Sequence, residues 1–195
     1  MVQSYAAILT PDGEVSLVNP LPITGEVDVV ARRPLLAQTK TVTCPLVPMQ
    51  VPGITTADAL DALDTVGSLF FIATPPSGII KAARWYDPSD QGSEINVHVF
   101  SGKVTLSASD AAWTLNDDDS LRELDTLEFT STSFVDNIAN RYARLTDIAI
   151  PYSTRIGGLW FGAATPAAST PTYTAPAFPR LQLVILTDDP DWQEV

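Results

Sequence analysis

The sequence predicts an all-β fold, a sandwich or barrel, and two features of the chain carry that prediction. Apolar and β-branched residues alternate with period two over most of the chain, and Pro- and Gly-rich turn signals cut it into short segments. Many short strands separated by such turns form a sandwich or barrel. At 195 residues and 45% hydrophobic content, the chain suffices for one good-sized domain, or one domain with an arm, and is too apolar to be disordered as a whole.

Strands are expected, in order, at Gln3–Thr10, Glu14–Val18, Glu26–Ala31, Lys40–Pro45, Gly67–Ala73, Gly78–Tyr86, Glu94–Ser101, Asp125–Ser131, Tyr142–Pro151, Gly157–Ala163 and Pro179–Thr187. Pro11-Asp12-Gly13 separates the first two. Pro75-Pro76-Ser77-Gly78 and Asp87-Pro88 bracket the sixth, and Gly157-Gly158 opens the tenth. Within Glu94–Ser101, Ile95, Val97 and Val99 alternate with Asn96 and His98, which places His98 on a solvent or interface face.

Two short helices are expected. Thr56–Leu63 lies in ITTADALDALDT, where Thr55 or Thr56 can cap and Asp58 suits the first turn. Asp119–Leu124 lies in NDDDSLRELD, where Asp118 or Asp119 can accept hydrogen bonds from the free N–H groups at the helix start. Composition divides the chain into an N-terminal arm or edge β layer (1–50), a β-sandwich core (51–188) and an acidic tail (189–195) carrying Trp192. The uncharged, proline-rich loop Ala164–Ala177 suits packing against a partner. The start, MVQSYAAILTPDGE, lacks the features of a secretory signal, so the chain is expected to begin there and to be made in a cytoplasm.

Charge excludes whole classes of partner. With 23 acidic against 11 basic residues the net charge is −12, which repels nucleic acid phosphates and anionic membranes. Arg32-Arg33 is the densest basic pair and the candidate anchor for an acidic surface. Cys44 is the one cysteine and His98 the one histidine, so no intrachain disulfide forms and any triad must run through His98. The acidic concentration from Asp110 to Asp125 has no tightly turning glycine of a calcium loop and reads as helix capping plus a solvated loop. There is no Gly-rich phosphate loop, no G-x-S-x-G and no H-E-x-x-H. The expectation is a non-enzyme with no cofactor and no metal. The aromatics read as core or intersubunit burial, with Trp85, Trp113, Tyr173 and Trp192 as interface candidates. A sugar-stacking platform on exposed Trp85 or Trp113 is the alternative.

The order of segments SGIIKAARWYDPSD, EINVHVFS, SASDAAWTLNDDD, LEFTSTSF, RLTDIAIPYS, GGLWFGAATPAASTPTYT and PRLQLVILTDD, over about residues 77–188, resembles tailed-bacteriophage virion proteins that decorate or cement the head. The resemblance implies a jelly-roll-like antiparallel β-sandwich bound to the major capsid protein on the capsid surface, made in the bacterial host. It also implies a homo-oligomer, with a trimer favoured. A head–tail completion or tail component, or a carbohydrate-binding sandwich module, is the alternative function.

Overall fold

Period-two alternation is realised as two antiparallel sheets packed face to face. The computed structural model describes residues 7–9, 15–17, 40–44, 46–48, 60–155, 157–167, 169–173 and 178–189. The chain divides into two compact units, Met1–Leu36 and Ala37–Val195. In the first, β1 (Ala7–Leu9) pairs antiparallel with β2 (Val15–Leu17), Ile8 standing opposite Ser16. The strand expected at Glu26–Ala31 lies outside the described residues.

The second unit begins earlier than the boundary near residue 50 that composition suggested. β3 (Lys40–Thr43) and β4 (Val47–Pro48) both hydrogen-bond to β12 (Arg180–Thr187), with Thr43 opposite Val184 and Val47 opposite Leu181. Residues 40–48 are therefore part of the core sheet. β6 (Ser77–Asp87), β10 (Arg141–Ser153) and β9 (Phe134–Asp136) complete that sheet, in the order β3-β12-β6-β10-β9 with β4 also on β12. The second sheet has the order β5-β11-β7-β8, built from β5 (Thr65–Ala73), β7 (Ile95–Phe100), β8 (Glu123–Phe129) and β11 (Gly158–Ala164). Pairing is nested. Of the eight principal strands the first pairs with the last (β3 with β12), then β5 with β11, β6 with β10 and β7 with β8, successive pairs falling in alternate sheets.

Inward-facing residues of both sheets make one core. Ile80, Ala83, Trp85, Leu181, Leu183 and Ile185 from the first sheet meet Phe70, Ile72, Val97, Leu127, Phe129 and Phe161 from the second. Trp85 lies 5.9 Å from Phe129 between ring centroids, and Phe70 stacks on Phe161 at 5.5 Å. Ile95, Val97 and Val99 are fully buried, as their alternation requires.

Both helix expectations change. Of Thr56–Leu63, the described residues Leu60–Leu63 form a turn into Asp64; Leu60 is core, donating its N–H to Pro171, and Leu63 has a φ of 67°, which no α-helix accepts. The second helix, α1, spans Asp117–Ser120, because Asn116 takes the cap by accepting from the Asp119 N–H at 2.8 Å. Asp119 is then free to act across the fold. Its buried carboxylate accepts from the Thr105 N–H and the Asn116 amide, both at 2.9 Å, and pairs with Arg122.

Candidate functional site

The face of the first sheet turned away from the core is made by the positions that alternate with core residues. In β6, buried Ala83 and Trp85 leave Ala82, Arg84 and Tyr86 pointing outward. In β10, buried Ala143 leaves Tyr142 and Arg144, and in β12, buried Leu181 and Leu183 leave Arg180, Gln182 and Val184. Register assembles them into rows: Arg180, Tyr86 and Tyr142; Gln182, Arg84 and Arg144; Val184, Ala82 and Thr146. Val135 of β9 extends the first row beside Tyr142 and is exposed.

Electrostatically this face is the inverse of the chain that carries it. Arg84 and Arg144 stand directly opposite one another, an arrangement of like charges that weakens a strand pair. Among the described residues the ion pairs are Arg122 with Asp119, and Arg141 with Asp90 and Asp136, and none takes in Arg84, Arg144 or Arg180. The Arg84 guanidinium carbon sits 4.4 Å from the centroid of the Tyr142 ring, which holds the side chain flat on the sheet. Its Nε is buried without a hydrogen-bond partner. Between Arg84 and Arg144 lies a depression of about 280 Å³, lined by Ala82, Ala83 and Val184 and by the polar side chains of Arg84, Arg144, Thr146 and Gln182. Arginine and tyrosine around a small apolar hollow are the composition of energetically dominant protein-binding patches. Chemically the face offers cation donors and ring surface, and so fits carboxylates flanking an apolar group.

The outer face of the second sheet is partly covered by its own chain, although Phe71 and Glu128 on it are exposed. After β7 the segment 101–116 folds back over it. Trp113 stacks on His98 with ring centroids 4.3 Å apart and planes at 18°, and its backbone N–H donates to the Leu63 carbonyl. A Cβ on Gly162 would lie 2.7 Å from Leu106 and 2.9 Å from Trp113, so a glycine at this position lets the segment close on the sheet. His98 Nδ1 lies 2.6 Å from Glu123 Oε1 and 3.2 Å from the Thr126 hydroxyl. The stretch EINVHVFSGKVTLSASDAAWTLNDDD is therefore a core strand, a strap across the outside of its own sheet, and a capped turn. His98 buttresses the strap.

The residues that sequence singled out fall differently. Trp85 is fully buried and Tyr173 is 1% exposed, so neither offers an interface; Trp85 occupies an inward position of β6, and burial, reinforced by the Asp87 charge, pushes the Tyr173 phenol far above its ordinary pKa. Trp113 is half-buried with one face taken by His98. An open platform pairing Trp85 with Trp113 is not formed. Arg32, Arg33 and Trp192 lie outside the described residues. Sequence reading passed over Arg84, Arg144 and Arg180, and weighed Tyr86 and Tyr142 only as aromatics for core burial or a sugar-stacking platform. Their signal was present as Arg-x-Tyr in AARWYD and Tyr-x-Arg in NRYARL, same-face pairs at i and i+2, but only the register sets them side by side.

Among the described residues no group of three or more His, Cys, Asp or Glu side chains is arranged to hold a metal ion, and no helix is long and apolar enough to cross a membrane. No family model, no curated protein and no solved structure matches the chain.

Proposed function

We propose that this chain is a structural protein of a tailed-phage virion, a decoration or cement protein that binds the major capsid protein on the outside of the head and bridges capsomers. The observation that carries the reading is the nested pairing of the eight principal strands, first with last and so inward, split between two sheets. We read that winding as jelly-roll-like, an architecture used by capsid and lectin domains. The lectin side of that choice is disfavoured by the burial of Trp85 and the stacking of Trp113 on His98. The arginine–tyrosine face supports an adhesive role, in which function lies in surfaces that neighbours bury. Mechanically, each contact formed between a bridging block and two capsomers must be broken before the shell can expand, so bound copies oppose the outward pressure of packaged DNA.

The test is co-sedimentation of the purified chain with capsids, stripped of it, from the phage that encodes it. Saturable, stoichiometric pelleting, with decorated capsids surviving heating that opens bare ones, is expected. Absence of pelleting at both low and high salt overturns the proposal.

A further inference from the structure

The same chain carries a surface complementary to its arginine–tyrosine face. Leu121, which ends α1 in right-handed helical geometry, is 85% exposed. Asp117 and Asp118 precede it by four and three positions, so all three share one side of the turn. Both aspartates are exposed, and neither takes part in an ion pair among the described residues, whereas their neighbour Asp119 is buried and paired with Arg122. The result is an apolar tip flanked by two carboxylates. The depression on the outer face of the first sheet is its inverse: small apolar residues, Ala82 and Val184, flanked by Arg84 and Arg144, which have no carboxylate partner among the described residues.

We infer that Leu121 of one copy of this chain seats in the depression of a second copy, with Asp117 and Asp118 meeting Arg84 and Arg144. The inference rests on reading this face as protein-binding and names its partner. A bare Leu side chain gains from leaving water, and the arginines gain carboxylates that no described residue of their own chain supplies. Ile138, the other strongly exposed apolar tip among the described residues at 94%, is flanked by Asn137 and Ala139 and carries no such pair of free carboxylates. Knob and hollow are different surfaces, so the contact is head-to-tail: every copy offers one of each, and successive contacts close into a ring or continue as a chain.

Sedimentation velocity of the full chain over a micromolar to submillimolar range tests this, with Leu121→Ser and Arg144→Glu as single variants. Both positions are exposed, and urea unfolding of each variant verifies that the fold is kept. Wild type is expected to gain mass with concentration, and each variant to associate at least about tenfold more weakly. An equimolar mixture of the two is expected to recover one heterodimer, because the Leu121→Ser copy keeps its hollow and the Arg144→Glu copy keeps its knob. Wild type that stays monomeric throughout, or a mixture no better than its components, overturns the inference. Monomeric wild type with capsid pelleting lost in Arg144→Glu assigns the face to the capsid instead. Association as expected with no capsid binding leaves this contact standing and removes the virion assignment.

Discussion

Replacing Asp87 should loosen one end of the sandwich, and the structure sets both the size of the effect and its ranking between two variants. Asp87 closes β6 and is fully buried. Its Oδ1 accepts from the Ser89 N–H at 2.9 Å, and its Oδ2 from Gln91 and Gly92 at 3.0 and 2.9 Å. The turn so formed presents Gln91, whose amide brackets Thr172 by accepting from its N–H at 2.7 Å and donating to its carbonyl, which pins the chain next to buried Tyr173. Asp87→Ala leaves three donors without an acceptor. At about 1–3 kcal/mol for each such group, and with the sum reduced by relaxation of the turn and entry of water, the expected cost is about 3–5 kcal/mol. Asp87→Asn can keep its oxygen at the doubly used position and loses only the Ser89 bond, where its amide now faces another donor. Its expected cost is about 1–2 kcal/mol. Urea unfolding followed by tryptophan fluorescence, with Trp85 two residues away, measures both. Equal costs for the two variants, or an Asp87→Ala cost below about 1 kcal/mol, would refute the reasoning that this carboxylate organises the turn.

Two further outcomes follow from the packing. Gly162→Ala puts a methyl group 2.7 Å from Leu106 and 2.9 Å from Trp113; because those are side-chain ends that can retreat, the expected loss is about 1 kcal/mol, rising to about 3 kcal/mol for Gly162→Val, with a red shift of Trp113 emission as the strap lifts. Stability is expected to fall above about pH 10, because burial raises the Tyr152 phenol to about 12 and the Tyr173 phenol further, while in the unfolded chain both ionise near about 10. The folded state holds these protons where the unfolded state has released them, so the tyrosine contribution is complete below the unfolded pKa and is lost at about 1.4 kcal/mol per pH unit per group as pH rises through this window. Unfolding free energies between pH 8 and 12, with tyrosinate absorbance read alongside, measure it; a flat profile contradicts the burial of both phenols.

How much of this was legible in the sequence depends on the range of the interaction involved. The strands were readable because alternation is local: Ile95, Val97 and Val99 predict both β7 and its inward face. Element ends were decided by single competing hydrogen bonds. Asn116 captured the cap that Asp118 or Asp119 was expected to hold, which shifted α1 toward the N-terminus and released Asp119 to bind Thr105. Trp85 was misplaced because its nearness to the turn at Asp87 suggested exposure, whereas strand parity alone puts it inside, two positions from Ala83. The arginine–tyrosine face was out of reach for the opposite reason. Arg84, Arg144 and Arg180 are up to 96 positions apart in the chain, and only the registers of β10 and β12 on β6 bring them together. His98 shows the same limit. Its parity gave the correct face of the strand, but the Trp113 that covers it arrives through a segment with no periodic signal.

The central claim, that this double-sheet block is a capsid-binding structural protein, is tested most directly by a cryo-EM reconstruction of stripped capsids to which the purified chain has been added back. Ordered density for a two-sheet domain is expected at defined lattice positions on the outer surface, touching more than one capsomer. A bare outer surface after saturating addition, or density confined to the portal or tail, would contradict it.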